Sequence, residues 1–166
     1  MDNLKDLVLR LHSQECRFVV VGGFCAVSWG SSLMTRDVDV ACDMSPSNLI
    51  RVWSALEHLH PVHRMTPTRL PFTRELAEKG GVHNLYLSTD IGQLDLLGEV
   101  KGLGSFAICL EHSEPIEIGG VAIRVLTLDA LIIAKRAMGR PRDLHAVLEL
   151  EVIRERRSGV PREGRK

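Results

Sequence analysis

No stretch of this chain approaches the roughly 20 consecutive apolar residues that a bilayer-spanning helix requires, so none is expected. The first eleven residues alternate charge with leucine, unlike a signal peptide. The four cysteines, Cys16, Cys25, Cys42 and Cys109, form no CxxC pair and show no spacing of a zinc site or disulfide framework. Each sits in or beside an apolar run and reads as a small buried hydrophobe. An excess charge is missing too: Lys plus Arg is 21 and Asp plus Glu is 21, so no global field draws the protein to nucleic acid or an acidic membrane. There is no internal repeat and no low-complexity segment. Hydrophobic residues at 45% and charged residues at 25% are an ordinary globular mixture, which excludes disorder and collagen. What is left is a soluble, cytoplasmic protein with no membrane association. Its 166 residues suggest a single domain over residues 1–153 and a tail over residues 154–166. That tail sets six basic residues (Arg154, Arg156, Arg157, Arg162, Arg165, Lys166) against Glu155 and Glu163, and reads as a polar, flexible end.

The patterning that is present mixes helix and strand. Leu4, Leu7, Val8 and Leu11 recur at helical spacing. Residues 17–21 (RFVVV) are a β-branched run halted by Gly22-Gly23, followed by a short helix over residues 24–30. Residues 37–42 (DVDVAC) alternate polar and apolar, as a strand with one buried face does. Ser45-Pro46 opens a helix through about residue 59. Residues 60–81 hold three prolines and a diglycine, and predict irregular structure or short edge strands. Residues 84–88 and 91–97 read as strands joined by a tight turn, and residues 106–110 as a short strand or helix. Residues 116–118 and 121–125 form a hairpin around Gly119-Gly120. Thr127 caps a helix ended by Gly139, and Pro141 starts another running to about residue 156. The hairpins favour an α+β fold with a mixed central sheet flanked by helices over a regular parallel one.

One constellation carries chemistry. Two glycines after a strand let the backbone turn sharply and approach a ligand, and the following helix would offer unpaired N–H groups to an anion such as phosphate. On the next strand Asp37 and Asp39 project to one side while Val38 and Val40 anchor the other. Carboxylates that close repel unless a cation intervenes, and magnesium prefers such hard oxygen ligands between acids and substrate phosphates. Asp95 stands alone among leucines, where burial is costly without a partner. If its strand lies beside that of Asp37 and Asp39, the three acids could hold two metal ions for in-line phosphoryl or nucleotidyl transfer. A diglycine alone is an ordinary turn, and two strand aspartates alone are an ordinary solvated face. Asp95 is what tips the balance toward a site. His58, His60 and His63 fit no zinc spacing and fall near a helix end.

Val20-Val21-Gly22-Gly23, then Thr35-Arg36-Asp37-Val38-Asp39-Val40 and later Leu94-Asp95-Leu96, resemble the nucleotidyltransferase superfamily related to DNA polymerase β, in its small bacterial branch. Residues 126–144 (LTLDALIIAKRAMGRPRDL) resemble the C-terminal helical motif of the same proteins, including those related to the AbiEii toxins of abortive-infection systems. The resemblance spans roughly residues 15–150. It implies a nucleotidyltransferase-type sheet, a nucleoside triphosphate as substrate, and Mg2+, or Mn2+ in its place, as cofactor. It also implies Asp37 and Asp39 as metal ligands, Asp95 as third carboxylate and base, and Gly22 and Gly23 as the triphosphate contact. Thr35, Arg36 and Lys135 would join the nucleotide site, although a lone lysine on a helix is ordinarily a snorkelling surface residue. Arg140 and Asp143 complete the helical motif. Acceptors in the superfamily include tRNA, proteins and aminoglycoside-type small molecules, and the sequence does not choose among them. Many relatives carry arginine where this chain has Leu33. That departure favours a second reading: a catalytically inactive nucleotide-binding or protein-interaction module, for example in a toxin–antitoxin system. The short C-terminal region would leave the cleft open, to be completed by a second copy in a homodimer or by a cognate antitoxin.

Overall fold

Short apolar runs and apolar–polar alternation both mark strands in this chain, and a computed structural model describes residues 2–159. The helix α1 (Asp2–Ser13) buries Leu4, Leu7, Val8 and Leu11 on one face, as their spacing requires. It leads into β1 (Phe18–Val21), buried at all four positions. The helix α2 (Gly22–Ser28) starts on the diglycine itself, two residues earlier than the sequence suggests, so the bend is the first turn of the helix. Then come β2 (Asp37–Cys42), α3 (Pro46–Leu56), a 3-10 turn at Glu57–Leu59, and β3 (Val62–His63). The segment expected to be irregular contains β3 and also α4 (Arg74–Lys79), whose start is fixed by the Thr73 hydroxyl accepting from the Leu76 N–H.

The chain continues through β4 (Asn84–Thr89), β5 (Gly92–Leu97), the two-residue strands β6 (Glu99–Val100) and β7 (Gly104–Ser105), and α5 (Phe106–Glu111). The hairpin β8 (Ser113–Ile118) and β9 (Val121–Leu126) turns at Gly119-Gly120. Thr127 caps α6 (Leu128–Met138) by accepting from the Ala130 N–H, and Gly139 ends it in the left-handed conformation only glycine adopts freely. The last helix, α7 (Pro141–Ser158), takes up the first five residues of the expected tail, while residues 160–166 lie outside the described residues.

Seven strands form one sheet in the order β3-β4-β5-β2-β1-β9-β8. Only β2 with β5 and β1 with β9 run parallel, so the fold is α+β with a mixed sheet. Helix α1 packs on β5, β2 and α3, and α6 bridges β9 and α7. Leu7, Leu11, Leu49, Leu94, Leu96 and Leu131 are among the fully buried core residues, each worth about 1.5–3 kcal/mol of apolar burial. Three cysteines are buried and Cys16 is partly so, all of them free thiols. Among the described residues no helix is long and apolar enough to cross a membrane.

Candidate active site

Because β2 and β5 are parallel neighbours, Asp39 lies opposite Asp95 and Asp37 opposite Gln93. Val38 and Val40 are fully buried beneath them, so the valines fix the strand and leave the carboxylates on the other face. Asp37, Asp39 and Asp95 each offer an oxygen, and these oxygens lie within 4.8 Å of one another. Burial, reinforced by Asp37 alongside, pushes the Asp39 carboxyl up to about 6, although Lys135, the Gly23 N–H and Arg64 oppose it. Burial also pushes Asp95 up to about 6, against the pull of Arg64 and with the push of Asp39 and Asp37. Three anionic oxygens under this repulsion are the donor set a hard divalent cation prefers, so the residues present fit magnesium.

The diglycine serves this cluster directly. Gly22 has φ +65°, and a Cβ there would lie 2.0 Å from Asp39 Oδ2. A Cβ on Gly23 would meet Thr35 Oγ1 at 2.5 Å. Absent side chains thus make room for the Asp39 carboxylate and for Thr35, whose hydroxyl donates 3.1 Å to Asp37 Oδ1. Helix α2 has only seven residues, and the N–H of Gly23 is turned to Asp39. Gly22→Ala is expected to displace Asp39 and to cost at least about 1–2 kcal/mol from the left-handed backbone alone. A melting temperature equal to that of the parent chain would contradict both the backbone cost and the close approach of Asp39.

The acids form one wall of a cavity of about 910 Å³. Helices α6 and α7 and the loop before β2 supply cations to the other walls. Lys135 is largely buried, its Nζ donating 3.1 Å to Asp143 Oδ1, and Arg140 donates to the same carboxylate through Nε. Burial pushes the Asp143 carboxyl up, but the hydrogen bonds from Arg140 and Lys135 outweigh it and hold the group below the usual carboxylate range. Arg36, exposed, and Arg142 also line the cavity, as do Leu33 and the exposed Met34. Glu149 of α7 holds the start of this loop by accepting from the Ser31 hydroxyl and the Ser32 N–H, both at 2.7 Å.

The predicted site residues Gly23, Thr35, Arg36, Asp37, Asp39, Asp95 and Lys135 all line this one cavity, and Gly22 lines a smaller apolar pocket of about 110 Å³ that shares Asp39 and Lys135 with it. The histidines do not converge. His58 lies beside Glu57, His60 Nδ1 is 2.7 Å from Asp90 Oδ2, and His63 meets the edge of Phe72. Arg64 and Glu149 escaped the sequence reading. Arg64 sits in no periodic pattern, Glu149 is one of several acids on the expected last helix, and tertiary structure gives each its partner.

A crystal structure of a candidate nucleotidyltransferase from Thermotoga maritima matches 94% of this chain and 91% of its own length, with a TM-score of 0.56 at 16% identity. The fold is of the nucleotidyltransferase type. No family model and no curated protein matches the sequence. The likeness to the Thermotoga protein concerns the fold; the chemistry has to come from the side chains described above.

Proposed function

We propose that the chain is a metal-dependent nucleotidyltransferase, moving a nucleoside monophosphate from a nucleoside triphosphate to an acceptor hydroxyl with release of pyrophosphate. The observation that supports this most is the convergence of Asp37, Asp39 and Asp95 within 4.8 Å, at the floor of a cavity whose other walls carry Lys135, Arg140, Arg36 and Arg142. Magnesium, or manganese in its place, held by the three carboxylates would neutralise charge on the α-phosphate and make the acceptor hydroxyl more acidic.

In this reading the acceptor oxygen forms a bond to the α-phosphorus, the bond to the bridging oxygen breaks, and pyrophosphate leaves. The hydroxyl proton passes to the acidic cluster. Lys135 and the cavity arginines bind the triphosphate and stabilise charge growing on the leaving pyrophosphate. Thr35 holds Asp37 in place, and the diglycine bend keeps Asp39 beneath the phosphates. The protein acts mainly by positioning and charge neutralisation.

A place in the AbiEii-type branch is a narrower part of the proposal, supported by residues 126–144. With it goes a second copy or an antitoxin over the open cleft. Sizing chromatography that finds a fully active monomer removes the second copy.

The test is a thermal-shift titration with magnesium and each of the four triphosphates. One of them at 100 times its dissociation constant is expected to add about 2.7 kcal/mol. Pyrophosphate release with tRNA, protein and aminoglycoside acceptors follows. Stabilisation without release supports the inactive, nucleotide-binding reading that Leu33 favours, and no stabilisation by any triphosphate defeats the nucleotidyltransferase reading and leaves the protein-interaction module.

A further inference from the structure

We infer that Arg64 is a positioning residue for the metal centre, holding Asp95 as a fixed, one-oxygen ligand; the inference rests on the metal-dependent reading above. Arg64 lies just past the edge strand β3, and its N–H donates 2.9 Å to the carbonyl of Tyr86 on β4. Tyr86 is the cross-strand partner of Asp95 in the β4–β5 pairing, so the sheet register brings Arg64 to that carboxylate. The guanidinium lies 5.5 Å from the centre of the Tyr86 ring and pairs with Asp95 through both of its terminal nitrogens. Nη1 reaches Oδ1, and Nη2 reaches Oδ2 at 2.6 Å. Arg64 is largely buried in this pair and Asp95 almost wholly so.

A planar fork on both oxygens fixes the carboxylate plane and fills one lone pair on each oxygen. Asp95 then has one remaining acceptor site per oxygen for the cluster it shares with Asp37 and Asp39. It cannot chelate a cation through both oxygens on the face turned to Arg64. Hydrogen-bond partners behind a ligating carboxylate typically account for 10–100-fold in metal affinity. No other described group donates to Asp95, so without Arg64 its carboxylate would be buried beside two like charges with its orientation unset.

The experiment is Mn2+ binding to the whole chain, read by the loss of the free-ion electron paramagnetic resonance signal, for the parent protein, Arg64→Ala and Arg64→Lys. Arg64→Ala is expected to bind Mn2+ 10–100-fold more weakly. Arg64→Lys, which keeps the charge and loses the fork, is expected to fall between the two. Equal affinity in either variant overturns the inference while leaving the metal site intact, and tighter binding by Arg64→Ala overturns it by showing that Arg64 competes with the cation. If Arg64→Ala does not fold, the lysine variant alone decides. A parent protein that binds no Mn2+ defeats the metal-dependent reading itself, and the inference with it.

Discussion

Asp39→Asn is expected to abolish nucleotidyl transfer while making the metal-free chain more stable at pH 8. The two effects share one cause. Asp39 lies opposite Asp95, with Asp37 next along the strand face, and burial together with Asp37 pushes its carboxyl up to about 6. Unfolded, it titrates near 3.8. The folded state therefore holds the proton more tightly, so Asp39 favours folding at low pH, and that contribution is lost as pH rises from about 4 through about 6. By pH 8 the ionised carboxylate costs the metal-free fold on the order of 3 kcal/mol, which the amide does not. In the proposed function a cation would offset this cost in the parent chain, and the variant would have one carboxylate fewer to hold it. Losing several kcal/mol of charge neutralisation at the reacting phosphate corresponds to a rate lower by about a thousandfold or more. Thermal melts at pH 4 and pH 8, with and without magnesium, and pyrophosphate release measure both halves. A variant that melts like the parent at pH 8 without magnesium contradicts the electrostatic account, and one that retains a tenth of the activity contradicts the metal-ligand role.

The acid cluster was legible because its geometry is local. Alternation over residues 37–42 sets which face Asp37 and Asp39 share, and a lone aspartate between Leu94 and Leu96 needs a partner wherever its strand lies. The sequence left open which strand would lie beside which, and the parallel β2–β5 register answers that. Arg64 was illegible for the opposite reason. It follows a two-residue strand in a proline-rich segment, and nothing nearby in sequence announces that the sheet will bring it to Asp95. Helix α4 was missed because six residues give too short a window for periodicity against the prolines before it, although Thr73 is a capping residue. The diglycine was legible as a bend, but its nearest neighbour was not. The space left at Gly22 is taken by the carboxylate of Asp39, a tertiary contact that the local pattern does not announce.

The other large effect concerns stability far from the reacting atoms. Asp143 is 1% exposed and accepts from both Lys135 and Arg140, so it ties α6 to the first turn of α7. Removing one partner of a buried ion pair typically costs about 3–5 kcal/mol, because the remaining charge stays buried without compensation. Arg140 is half exposed and can turn to water, whereas Lys135 is not, so the lower end of that range applies. Asp143→Ala is expected to lose about 3 kcal/mol, a drop in melting temperature of roughly 6–12 °C for a chain of this size. Its catalytic signature should differ from that of Asp39→Asn. Lys135, freed from Asp143, is no longer held at the cavity wall, so the KM for the triphosphate rises, while affinity for Mn2+ stays within about threefold because no carboxylate of the cluster has moved. Asp143→Asn keeps the shape and one acceptor oxygen, and should recover part of the stability. A melting temperature within a degree of the parent for Asp143→Ala would mean that Lys135 reaches solvent unaided, and the buried pair would then have no part in shaping the cavity.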